Sequence, residues 1–334
     1  MHTLYHLLTI TIDTKHLSNT GCIVCTIMVY SVHTIYHYYY MTEISISQKK
    51  ELLQLLVHPV RYGELRLCLL DYMKKTVYRH LGSFEDALRK DKILISFDVK
   101  SEREKKVTLY TSSLVSNLSP YGVAWGLCRN GYFSNLTSMY FHTLTNQVPK
   151  TVNMAIENIG DYSSRKSGVM LSDHDIFSSF VKQPRSNRNL YWFSDHTILL
   201  TERVKKGDAG VDVVTATNKI VPKGSRVTSL ERGLIDAVVH PQYNGGIRSV
   251  VEFYQEGAKH LNVGKLLKIY KALDFRYPYW QAIGFLCDKT GASKAAHEIA
   301  DHFRARNKFY IDHLAKDSWA FDSHWQIFYP KGLF

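Results

Sequence analysis

Lys74, Lys75, Thr76, Tyr78, Arg79 and His80 crowd into one short stretch of the chain, and their side chains share one kind of chemistry. Ammonium groups neutralise phosphate. A guanidinium can bond both acceptor atoms of a guanine edge, and hydroxyl or imidazole groups reach other base edges. Val77, Leu81, Phe84 and Leu88 recur through the same stretch at helical spacing, which gives an apolar back to a basic front. The spacing therefore predicts a helix from Lys74 to Leu88. In it, Thr76, Tyr78, Arg79 and His80 would face base edges, with Lys74 and Lys75 on phosphate. The competing reading is a solvated basic helix face with no partner.

The flanking elements decide whether such a helix is held where a groove can take it. Ile93 to Phe97 is β-branched and apolar, a charged turn follows from Lys100 to Lys106, and Val107 to Tyr110 returns as a second strand. Lys100, Arg103, Lys105 and Lys106 then sit near the tip of a hairpin, suited to phosphate rather than to bases. Upstream, Gln48 to Val57 reads as a first helix stopped by Pro59, and Gly63 to Tyr72 as a second. Three helices followed by a hairpin make a winged helix-turn-helix over residues 41–113. The third helix would enter the major groove, about 12 Å wide, while the wing reaches the backbone.

Residues 114–334 read as a second domain, entered through a serine-rich link from Leu114 to Pro120. Helices are predicted at Val123–Arg129, Ser134–Leu144, from Ser229 to a stop at His240-Pro241, and at Ile247–Tyr254, Val263–Leu273, Pro278–Thr290 and Ala292–Arg304. Short strands are predicted at Asn189–Phe193, Thr197–Leu200 and Val211–Ala216, with strand or extended chain from Trp319 to Phe328. The class is α+β: a winged helix followed by a mixed α/β domain whose last third is mainly helical.

The net charge is +12 and the pI about 9.3, which favours a polyanionic partner. The excess is spread: 14 basic against 10 acidic residues in 41–113, and 27 against 19 in 114–334. Five cysteines without a framework spacing fit a reducing cytoplasm. Cys22 and Cys25 form a lone C-x-x-C with no second pair to complete a zinc site. Residues 1–40 are neutral and rich in Thr, Ile, His and Tyr, and Met41 opens a normal polar sequence. The expectation is a start at Met41, with the leader disordered or misannotated. Its most apolar run, Cys22 to Val32, is too short to span a bilayer.

Other groups invite catalysis. Asp173-His174-Asp175, Asp195-His196, Asp301-His302 and Asp312-His313 pair acids with imidazoles, but adjacent pairs do not by themselves converge on one metal. No nucleophile elbow, zinc-protease helix or phosphate-binding loop is present in the sequence. Arg232 and Asp236, at i and i+4, are placed to pair across one turn, and a structural ion pair steadying the Gly245-Gly246 turn is the plainer reading. Tyr277, Tyr279, Trp280 and Phe285 read as core rather than as base-stacking groups. No cofactor, metal or catalytic residue is expected.

The stretch Val227-Thr228-Ser229-Leu230-Glu231-Arg232-Gly233-Leu234-Ile235-Asp236-Ala237, followed by His240-Pro241-Gln242-Tyr243-Asn244-Gly245-Gly246, resembles the AbiEi family. These are abortive-infection antitoxins that are also transcriptional regulators. In that family a T-s-x-E-R-T-L-x-D helix precedes an r-P-x-x-x-G-G turn. Tyr277 to Phe285 and Tyr121 to Tyr132 resemble further parts of it, so that the resemblance spans most of Ser47 to the C-terminus. Gly233 departs from the family's threonine, which removes a hydroxyl and weakens a helix interior by about 1 kcal/mol relative to alanine. If that hydroxyl takes part in neutralisation, this chain is impaired.

The resemblance implies a repressor that binds inverted repeats in its own promoter DNA, as a monomer or dimer acting cooperatively. It also implies a C-terminal domain, marked by Glu231, Arg232, Asp236, Pro241, Gly245 and Gly246, that neutralises a nucleotidyltransferase-like toxin without a stable complex. Two other readings stay open. One is a winged helix fused to a nuclease-like enzyme using a carboxylate such as Asp173 or Asp236. The other is a regulator whose second domain senses a ligand.

Overall fold

The computed structural model describes residues 44–115, 118–158, 171–184, 189–215, 220–305, 307–316 and 318–334. The leader, Met41 and the Cys22/Cys25 pair lie outside them. The first described helix, α1 (Ile46–Leu55), is set by a capping box: Ser45 Oγ accepts from the Gln48 amide at 3.2 Å, and the Gln48 side chain accepts from the Ser45 amide at 2.9 Å. Strand β1 (Val60–Arg61) leads into α2 (Tyr62–Met73), then α3 (Leu81–Lys90) and a hairpin of β2 (Leu94–Ser101) and β3 (Lys105–Ser112). Strand β1 pairs antiparallel with β3. Leu52, Leu56, Leu65, Leu69, Phe84, Leu88 and Leu94 close a core belonging to this segment alone. Each such side chain contributes on the order of 1.5–3 kcal/mol by leaving water.

The third helix begins seven residues later than its predicted start at Lys74. Thr76 explains the delay. Its hydroxyl donates to the Met73 carbonyl at 2.8 Å and accepts from the Tyr78 amide at 3.3 Å, a local turn that competes with helix. Val77, taken as part of the apolar stripe, is only half-buried in that turn. Tyr78 instead packs towards the core, its ring 5.2 Å from that of Phe84.

The chain then runs through α4 (Pro120–Leu127), β4 (Tyr132–Phe133), α5 (Asn135–Phe141), β5 (Thr151–Asn158), α6 (Asp173–Phe180), β6 (Leu190–Phe193), β7 (His196–Val204), β8 (Val211–Val213) and β9 (Arg226–Thr228). These strands extend the first sheet instead of starting another. The order is β1-β3-β2-β6-β7-β5-β4-β9-β8, and β5 lies parallel to β7 from Thr151↔Thr197 to Asn158↔Val204. The sheet thus crosses the predicted link at Leu114–Pro120. A second core joins Val99, Val107 and Leu109 of the hairpin to Trp125, Phe133, Val152, Tyr191 and Ile198. Helix α4 approaches so closely that a Cβ on Gly126 would lie 2.5 Å from the Pro59 carbonyl oxygen. Beside it, the Arg129 guanidinium sits 3.8 Å from the Trp125 ring centre and donates to the Pro59 carbonyl at 3.1 Å.

The last third is helical: α7 (Leu230–Val239), α8 (Ile247–Gly257), α9 (Val263–Leu273), α10 (Tyr279–Lys289) and α11 (Ser293–His302). A small sheet closes it, β10 (Phe309–Tyr310), β12 (Ile327–Tyr329) and β11 (Ala320–Asp322), in the order β10-β12-β11. Trp280 and Phe285 are buried and Tyr277 and Tyr279 pack against the same core. Two glycines in these helices admit a neighbour. Met139 fills the space where a Gly233 side chain would stand, and the Trp325 indole fills that of Gly284. The molecule is therefore a mixed α/β structure, and among the described residues no helix is long and apolar enough to cross a membrane.

Candidate functional site

The residues predicted to meet nucleic acid gather in the approach to α3. Lys74, Lys75, Arg79 and His80 are exposed, and Thr76 is half-buried in its turn. Lys74 pairs with Asp71 at 3.0 Å across a fully solvated surface, and Lys75 lies 5.4 Å from the Tyr72 ring centre. His80 is the residue preceding the first turn of α3 and makes no side-chain cap, so that the positive end of the helix opens beside Arg79. The outward face of α3 continues with Gly82, Ser83, Asp86, Arg89 and Lys90, all exposed. Arg89 and Lys90 lie just beyond the predicted end of this helix at Leu88.

The hairpin carries its cations less freely than its sequence implies. Lys106 pairs with Asp98 at 2.7 Å, Arg103 lies 3.6 Å from Glu202 of β7, and Lys100 lies 5.4 Å from the Trp192 ring centre. Lys105 stands at the turn in a left-handed conformation, φ 61°, with no partner among the described residues. Exposed pairs of this kind contribute little and exchange readily. The tip itself is tethered: the Glu102 amide donates to the Leu190 carbonyl at 3.0 Å, and Lys100 and Ser101 pair with Trp192 and Tyr191.

The motif from Glu231 to Gly246 forms a buried charged centre. Ser229 caps α7, accepting from the Arg232 amide at 3.3 Å. Asp236 receives Arg232 Nε at 3.1 Å and Arg203 Nη1 of β7 at 2.7 Å. Arg232 also donates to the Ala209 carbonyl at 2.6 Å and to the Tyr132 hydroxyl at 3.3 Å. Burial alone would raise the Asp236 carboxyl, but the two guanidiniums outweigh it and hold it below the usual carboxylate range. Glu231 is likewise held low: its burial is outweighed by bonds from its own backbone, from Lys265 at 3.1 Å and from Ser229. Burial, then the nearby Arg203, lower the His240 imidazole to about 3. His240 is thus neutral at ordinary pH.

The expected i, i+4 pair is present, but it does not touch the glycine turn. Gly245 and Gly246 take φ values of +83° and +89°, and the Gly246 amide closes on the Pro241 carbonyl at 2.8 Å. The connection runs through Asn244, whose amide reaches Asn135 Oδ1 at 3.4 Å, the atom that Arg203 also approaches at 3.4 Å. Arg203, Tyr132 and Asn135 carry no local sequence signal, since they arrive from three other elements.

Several members of the acid–imidazole pairs make local structural contacts. Asp175 closes a capping box with Ser172, and Asp173 accepts from Asn307 and from the Lys308 amide, each at 3.1 Å. His313 stacks on Phe180 at 4.8 Å, and His302 bonds the Glu298 carbonyl one turn back. Among the described residues no three His, Cys, Asp or Glu side chains converge as metal ligands.

No family model matches the chain, and no curated protein matches it. Among solved structures, the fold is similar to the crystal structure of RV2827C protein from Mycobacterium tuberculosis, with a TM-score of 0.46 and 11% sequence identity over 84% of this chain and 89% of that one.

Proposed function

We propose that this protein is a DNA-binding regulator with antitoxin activity. In this reading a winged helix-turn-helix over residues 41–113 binds inverted repeats in the promoter of its own operon. The observation that carries it is the placement of Arg79 and His80, both exposed, at the uncapped N-terminal end of a helix whose other face is core, with Lys74 and Lys75, also exposed, in the turn that leads to it from α2. That end offers cationic side chains, a guanidinium and unsatisfied backbone amides together, the set that duplex DNA requires. Helix α3, with Arg79, His80 and Ser83 foremost, enters the major groove, while Lys74 and Lys75 meet the backbone. Lys105 and Lys100 extend the contact from the hairpin.

The antitoxin half of the proposal rests on the resemblance carried by Glu231–Gly246. In this chain the partner is a nucleotidyltransferase-like toxin encoded next to it, held without a stable complex. The buried Arg203–Asp236–Arg232 centre shapes the neutralising domain and takes no part in bond breaking, because its one carboxylate is enclosed between two guanidiniums. Co-expression tests this half. The neighbouring gene is induced in a naive host with and without the full chain. Restored growth is expected; toxicity that persists at equal expression contradicts the antitoxin assignment.

A further inference from the structure

Strand β6 belongs to the second half of the chain, yet it occupies the open edge of β2 next to the hairpin tip. Strand β1 pairs with β3 only at Leu109 and Tyr110, so without β6 the tip of the hairpin would be steadied by its own two strands, and an isolated two-stranded ribbon is marginally stable at best. Here three kinds of contact hold it. The Glu102 amide bonds the Leu190 carbonyl at 3.0 Å, and Lys100↔Trp192 and Ser101↔Tyr191 continue the ladder. The Lys100 ammonium lies 5.4 Å from the Trp192 ring centre, and Arg103 reaches Glu202 at 3.6 Å. Beneath the tip, Val99 and Leu109 share a core with Tyr191, Val152 and Ile198. Lys105, whose ammonium has no partner among the described residues, sits three residues beyond Glu102, the last residue bound to β6, and opposite Ser101 in the hairpin.

We propose that strand Leu190–Phe193 positions the hairpin for DNA, with Trp192, held against Lys100, acting as a positioning residue that fixes where Lys105 meets phosphate without itself touching DNA. The inference rests on the DNA-binding reading above and deepens it: the second half of the chain is part of the DNA-binding unit. Removing an uncharged side chain should then mimic the removal of a lysine.

The experiment is a salt titration of binding to a duplex from upstream of the gene, using the full chain. Trp192→Ala is expected to lower the salt slope by about one unit, as Lys105→Ala does. It should weaken binding about fivefold at 0.15 M salt, the factor by which one phosphate contact fades between that concentration and 1 M. Lys105→Ala should add less than about a twofold loss in the Trp192→Ala background, since both remove one contact. Trp192→Phe keeps a ring under Lys100 and restores the slope. An unchanged slope in folded Trp192→Ala, or full additivity with Lys105→Ala, overturns the proposal. Hydrogen exchange in the wild type gives an independent reading: DNA should slow exchange at Glu102 and through Leu190–Phe193, and unchanged exchange there counts against it. Absence of any binding by the wild type sinks the DNA-binding reading itself, a separate result.

Discussion

Replacing Asp236 by asparagine keeps the side-chain shape and removes one charge, at a site where that charge answers two others. The carboxylate is 1% exposed and receives Arg203 at 2.7 Å and Arg232 at 3.1 Å. Breaking a buried pair from one side typically costs about 3–5 kcal/mol, mostly because the opposite charge stays buried without compensation. Two features place this site at the lower end. Arg203 retains 13% of its side-chain exposure, and Arg232 keeps its bonds to the Ala209 carbonyl and the Tyr132 hydroxyl as well as the field of Glu157. The expected loss is about 3 kcal/mol, read as a lower midpoint for urea unfolding followed by circular dichroism. Its pH dependence has a definite sign. A carboxylate held below its ordinary value stabilises the fold above the unfolded pKa of about 3.9, and the stabilisation fades as pH falls through the lowered folded value. The difference between wild type and Asp236→Asn should therefore be full at pH 5 and shrink only below about pH 4. A variant within about 0.5 kcal/mol of wild type at pH 7 would refute the reasoning. A catalytic carboxylate would give the opposite pattern, a stable protein without activity.

Gly284→Ala should destabilise the last third although alanine favours helix by about 1 kcal/mol. The new methyl would press into the rigid, buried Trp325 indole, an overpacking cost of about 1–3 kcal/mol or more; thermal unfolding at or above the wild-type midpoint contradicts this. His240 is neutral in the fold, its pKa lowered to about 3, so the unfolded chain binds the extra proton between about pH 6.5 and 3. Stability should fall over that window by at most about 1.4 kcal/mol per pH unit, less because His240 keeps some exposure. His240→Phe should flatten the decline between pH 6.5 and 4.5, and an unchanged decline removes His240 as its source. Arg79→Ala should cost about 1–3 kcal/mol of affinity for a specific duplex if its guanidinium grips a base edge; a loss equal on all sequences would assign it to phosphate instead.

Much of this architecture was legible where periodicity and punctuation agree. Val263–Leu273 matches its predicted bounds, Pro278 opens α10, and His240-Pro241 ends α7. The start of α3 was misread because Val77 falls at helical spacing while the Thr76 hydroxyl turns the chain out of helix. Strand β5 is not among the predicted strands although Val152, Met154 and Ile156 alternate with Thr151, Asn153 and Glu157; its pairings with β4 and β7 join it to segments that no local window contains. The Arg232–Asp236 pair followed from i, i+4 geometry, but Arg203, Tyr132 and Asn135 join it through tertiary packing that no local window contains. The tethering of the hairpin by β6 is equally non-local, because Ser101 and Tyr191 pair directly between adjacent strands although 90 residues separate them in the sequence. Gly233, a weak point by helix propensity, accommodates Met139, which offsets the loss with close packing.

The most direct test of the account is a titration of the full chain against duplex DNA from upstream of its gene, beside a scrambled duplex, at several salt concentrations. The account predicts tighter binding to the upstream duplex and a steep fall with salt. It also predicts that replacing Lys74, Lys75 and Arg79 together by alanine abolishes the preference and flattens the salt dependence by about two to three units. Equal affinity for both duplexes, or upstream binding that survives the triple replacement, would contradict it.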